Sequence, residues 1–85
     1  MKQNKDLDSN LANGKINQVY EVVEINQNFN IKYGRRLAEI GFVSGEKIKI
    51  LRKSILGKTF LVGVNGFAIS LRQDIAYHIK IKEVL

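Results

Sequence analysis

Residues 33–51 read YGRRLAEIGFVSGEKIKIL, and this stretch decides the fold. It divides into a short helix, a glycine stop, a glycine turn and a strand. Tyr33, Leu37 and Ile40 fall at i, i+4 and i+7, so they share one helical face, and Arg35, Arg36 and Glu39 lie off it toward water. Gly41 ends the helix, because the residue just past a helix end often needs positive φ, which glycine takes without a Cβ clash. Phe42 then packs back on Leu37, the apolar contact that accompanies such a cap. Residues 43–46 (VSGE) form a turn. From Lys47 to Lys53 the chain alternates as KIKILRK, with Ile48 and Ile50 pointing one way and Lys47, Lys49 and Leu51 the other. The stretch therefore docks a helix onto the edge or end of a sheet.

Working outward, residues 15–25 (KINQVYEVVEI) read as a first strand with imperfect alternation. Ile16, Tyr20 and Val22 share one face and Val19, Val23 and Ile25 the other, which a bulge would reconcile. A polar connector follows, with Asn28 or Asn30 as helix N-cap. Beyond the central stretch, residues 54–58 (SILGK) form a loop carrying two aliphatic side chains. Residues 59–64 (TFLVGV) are a strand with Phe60, Val62 and Val64 on one face. Asn65-Gly66 is a two-residue type I′ hairpin turn, whose central residues both need positive φ. Phe67, Ile69 and Leu71 share one face of the next strand. Residues 72–77 (RQDIAY) form a single helical or 3₁₀ turn, and residues 78–84 a last alternating strand. About five short strands, one short α-helix and a 3₁₀ turn make a mainly β protein, a small antiparallel barrel of the SH3-like kind, because closure removes open sheet edges. An OB-fold would place its helix between the third and fourth strands, where this chain has only Asn-Gly.

The 85 residues make one domain. Residues 1–10 are polar and read as a flexible arm, and residues 11–85 as the folded unit, with Leu7 and Leu11 pinning the arm. The chain contains no cysteine and no proline, so packing and hydrogen bonds must hold a small core unaided. No apolar run reaches membrane-spanning length and the N-terminus lacks a secretory core segment, so the sequence reads as cytoplasmic. The net charge of +6 suits nucleic acid, an acidic protein face or an anionic membrane surface.

Most catalytic chemistries lack their parts. His78 is the only histidine, so a nucleophilic triad has one candidate base, and no serine has an obvious partner. The glycines do not follow phosphate-loop spacing. Asp74 and His78, four apart, would share a face of the late helical turn, but two mixed ligands fall short of a metal site. Lys47, Lys49, Arg52, Lys53 and Lys58 cluster around the second strand and would suit single-stranded nucleic acid, except that Phe42, Phe60 and Phe67 sit at expected core positions rather than among them. Ile55 and Leu56 have two readings: an exposed contact point for a partner, or a lid folded over the open end of the barrel.

Several of these pieces in combination resemble the FeoA family, the ferrous iron transport protein A group. They are residues 35–42 (RRLAEIGF), Gly45, the strand through Ile48 and Ile50, Leu56-Gly57, residues 66–72 (GFAISLR), and Leu11 with Gly14. The resemblance spans about residues 11–85. It departs at the family's loop prolines, where Ser44 and Ile55 stand here. The resemblance implies an SH3-like barrel and a small cytoplasmic accessory protein of ferrous iron uptake, recruited to the inner face of the membrane without inserting into it. The implied partner is the FeoB-type transporter at its cytoplasmic GTP-binding region, and the implied role is modulation or assembly, not catalysis and not cofactor chemistry. The expected contact residues are Arg35, Arg36, Ile55, Leu56 and Lys58. The module also resembles the C-terminal domain of iron-dependent repressors, which makes metal sensing an alternative beside single-stranded nucleic-acid binding. Direct ferrous iron association would have only Asp74 and His78 to draw on.

Overall fold

The computed structural model describes residues 9–26 and 31–84. Six strands form one antiparallel sheet: β1 (Ser9–Asn10), β2 (Val19–Ile25), β3 (Lys47–Lys53), β4 (Thr59–Val64), β5 (Phe67–Arg72) and β6 (Ile79–Glu83), in the spatial order β1-β6-β2-β3-β4-β5. Two helices interrupt them, α1 (Ile31–Ile40) and the single turn α2 (Gln73–Ala76), and a 3₁₀ turn covers Leu11–Asn13. The sixth strand is β1, two residues of the polar N-terminal segment that pair with Lys80 and Ile81 of β6. The expected helix caps Asn28 and Asn30, and Leu7, lie outside the described residues.

Alternation builds the core. Tyr20 and Val22 from β2, Ile48 and Ile50 from β3, Phe60, Val62 and Val64 from β4, Leu71 from β5, and Ile79 and Ile81 from β6 are all buried, with Leu11, Leu37, Phe42 and Ala76 beside them. The Tyr20 hydroxyl, at the margin of this cluster, accepts a 2.8 Å hydrogen bond from the Lys15 N–H. Register shifts between Val22 and Glu24 and between Ile50 and Arg52 bend two strands, and the first is the bulge that the imperfect alternation of β2 requires.

The helix end is a Schellman cap. The Gly41 N–H donates to the carbonyl of Ala38 at 3.1 Å and the Phe42 N–H to that of Leu37 at 3.0 Å, with Gly41 at φ +132°. Leu37 and Phe42 are both 1% exposed, so the cap also delivers two side chains to the core. The β4–β5 turn has Asn65 at φ 53° and Gly66 at φ 83°, the positive pair that a type I′ hairpin needs.

Three expectations are corrected. The first strand begins at Val19, not Lys15, because Asn17 takes a left-handed conformation (φ 68°) that breaks the extended run, leaving Ile16 in an isolated bridge with Ile50. Phe67 is not core: it is 63% exposed. It sits opposite Val64 at the start of β5, the strand at the sheet edge, next to the hairpin turn. Tyr33 lies on the margin, exposed, because the helix is pinned to the core one turn later, at Leu37.

Candidate interaction surface

The loop between β3 and β4 is tied by its own first residue. The Ser54 N–H donates to the Thr59 carbonyl at 2.9 Å, and the Gly57 N–H returns to the Ser54 carbonyl at 2.8 Å. The Ser54 hydroxyl oxygen accepts from the N–H groups of both Lys58 (3.1 Å) and Thr59 (3.2 Å). A backbone held this way presents its two central side chains outward. Ile55 is 102% exposed and Leu56 77% exposed, so they do not fold over the barrel end. Two adjacent aliphatic side chains in water gain free energy by leaving it, at about 25 cal/mol per Å² of apolar surface covered. Lys58 is exposed on the same loop.

Arg35 and Arg36 are exposed on α1. The end of that helix abuts Val64 and Asn65, at the far end of β4 from the Ser54–Lys58 loop. The structure thus joins Ile55, Leu56 and Lys58 on one hairpin and places the arginine pair on a separate element. Asp74 and His78 do not meet in one recess. The Asp74 carboxylate lies 3.4 Å from Arg72 Nε in a shallow recess with Lys58 and Thr59. His78 follows the end of α2, is half-buried, and lines a different cavity with Asn10, Glu24 and Lys80. Among the described residues no group of three or more His, Asp or Glu side chains converges as a metal site. Phe67 is the exposed aromatic that alternation alone did not reveal. Its position at a hairpin tip on a sheet edge was the signal available.

A bent six-stranded antiparallel sheet with this strand order, a capped helix before β3 and a helical turn before β6 defines the small SH3-like barrel class. The chain belongs to the FeoA family: the family model described as the FeoA domain matches residues 9–83. Among solved structures, the chain is similar to the FeoA protein from Chlorobium tepidum, with a TM-score of 0.83 and 28% identity over 91% of this chain and 71% of that one. It is similar to a FeoA-like protein from Clostridium acetobutylicum, with a TM-score of 0.80 and 26% identity over 92% of this chain and 88% of the other. It is also similar to Stenotrophomonas maltophilia FeoA complexed with zinc, described as a procaryotic SH3 domain protein, with a TM-score of 0.76 and 26% identity over 87% and 89% of the two chains. A manganese-dependent transcriptional repressor and T. acidophilum IdeR contain the same fold over 42% and 34% of their chains. No curated protein matches the chain. The family is associated with ferrous iron transport.

Proposed function

We propose that this protein is an accessory factor of ferrous iron uptake that works by protein contact, binding the cytoplasmic GTP-binding region of a FeoB-type transporter and modulating or helping to assemble it. It acts on the cytoplasmic side and carries out no chemistry of its own. The observation that carries the reading is the hydrogen-bonded β3–β4 loop, whose two aliphatic residues are exposed with Lys58 beside them. An apolar centre with a charged rim is the anatomy of a protein contact site. Arg35 and Arg36 on α1 form a second, basic part of the contact. The metal-sensing alternative has little support from the donor set at Asp74 and His78. The nucleic-acid alternative is weakened by the burial of Phe42 and Phe60, which removes two stacking platforms.

The test compares wild type and Leu56→Asp for binding to the transporter's isolated GTP-binding region, with melting temperature measured alongside. Loss of binding at an unchanged melting temperature supports the contact site. Retained binding removes the loop from the interface.

A further inference from the structure

The charge of this protein is not spread over its surface. Residues 47–72, the three strands β3, β4 and β5 with their two turns, contain six basic residues (Lys47, Lys49, Arg52, Lys53, Lys58 and Arg72) and no Asp or Glu. The eight basic residues elsewhere are balanced by the eight acidic ones, so this unit carries the entire net charge of +6. Ion pairing follows the same division. Lys80 and Lys82 of β6 are paired with Glu24 and Glu21 of β2, whereas among the described residues only Arg72 of the basic unit has a carboxylate within ion-pair distance.

Register collects four of these cations, Lys47, Lys49, Arg52 and Arg72, on one side of the sheet, while Lys53 lies opposite Phe60 with its Nζ 5.2 Å from that ring and Lys58 belongs to the loop. Ile48, Ile50, Phe60, Val62, Val64 and Leu71 point inward and are buried, so the residues between them point out. Lys49 lies opposite Gly63, which lies opposite Ala68, and Arg52 lies opposite Leu61, which lies opposite Ser70. Arg72 lies opposite Thr59. Cations on β3 and β5 thus flank Gly63, Ala68, Ser70 and Thr59, with Leu61 between Arg52 and Ser70 and the Leu51 side chain beside Gly63. None of these outward positions is aromatic, so bases have nothing to stack on.

We infer that the outer face of β3–β4–β5 docks on an anionic lipid bilayer, its cations meeting headgroup phosphates. Charge complementarity selects an anionic surface, and the lack of aromatic side chains at the outward positions, with the exposed Phe67 on the other face of β5, sets nucleic acid aside. The choice of lipid over an acidic protein rests on the proposed role beside a membrane transporter. The charge asymmetry itself does not. The Ser54–Lys58 loop lies beyond the paired positions of this face, so Ile55 and Leu56 are not part of the proposed lipid contact.

Co-sedimentation of the full chain with vesicles tests this without any transporter present. Vesicles of phosphatidylcholine with roughly one-third phosphatidylglycerol are expected to carry the protein down, pure phosphatidylcholine vesicles are not, and raised salt is expected to release it. The neutral Lys49→Gln/Arg52→Gln variant is expected to bind about thirtyfold more weakly, and the Lys49→Glu/Arg52→Glu variant several hundredfold or more weakly, both with wild-type melting temperatures. Leu56→Asp is expected to keep its vesicle binding, so loss of transporter binding in that variant reports on the protein contact alone. The inference is overturned if wild type fails to sediment with anionic vesicles, if both pairs of substitutions leave sedimentation unchanged, or if a single-stranded oligonucleotide of equal charge displaces the protein from them.

Discussion

Gly41 sits against Asn65. A Cβ added to the glycine would lie 3.1 Å from the Asn65 Cβ and 3.3 Å from Cγ2 of Val64. The end of α1 is thereby fitted to the β4–β5 turn, two segments more than twenty residues apart in the chain. Two locally required glycine features, a helix stop at 41 and a hairpin turn at 65–66, thus meet in one contact. Gly41→Ala adds backbone strain to that crowding and is expected to cost about 1–3 kcal/mol in urea unfolding. Gly45, at φ +92° with nothing within 4 Å of an added Cβ, is the control, and its alanine variant should lose only the backbone part, about 1 kcal/mol. Equal losses at the two sites would mean that the Asn65 contact contributes nothing.

Gly14 is constrained by space instead of by φ. A Cβ there would lie 2.5 Å from Ile50 Cδ1 and 3.1 Å from Tyr20 Cε2, both core side chains. Gly14→Ala should overpack the core and cost about 1–3 kcal/mol by thermal unfolding. Co-substitution of Ile50→Val, which removes the atom in conflict, should recover part of the loss.

Phe67 and Leu71 occupy the same face of β5 and differ in cover. Phe67→Ser is expected to change stability by about 0.5 kcal/mol or less, because the ring is already 63% exposed. Leu71→Ala, at a position 1% exposed, is expected to cost about 2–5 kcal/mol. Similar losses in denaturant melts of the two variants would place Phe67 back in the core.

Ser54 ties the loop that bears Ile55, Leu56 and Lys58, the proposed contact residues. Ser54→Ala removes the oxygen that accepts from the Lys58 and Thr59 N–H groups and is expected to cost about 1 kcal/mol. Amide exchange at these two positions should accelerate, and partner binding should weaken because the apolar tip must then be ordered on binding.

Much of the fold was legible because period and turn chemistry are local. Ile48 with Ile50, and Phe60 with Val62 and Val64, announced their faces through alternation. Gly41 and Asn65-Gly66 announced theirs through the φ they must adopt. Depth was not legible: alternation placed Phe67 on the inward face, but only the sheet order shows that this face runs out at the β5 edge. The pairing of Ser9 and Asn10 with β6 is non-local and leaves no periodic trace in two residues. At the candidate site, the Ile55-Leu56 pair was visible while its exposure was not, since an aliphatic loop can fold inward or stand out. The decision lay with the Ser54 hydrogen bonds. The confinement of net charge to residues 47–72 can be read from the sequence, but the gathering of four of its cations onto one face needs the register.

The most direct test of the account is calorimetric titration of this protein against the cytoplasmic GTP-binding region of the transporter from the same organism, with and without nucleotide. The account predicts saturable binding that Leu56→Asp abolishes while the fold, read by its melting temperature, is unchanged. Absence of binding at high micromolar concentration, or binding indifferent to Leu56, would contradict it.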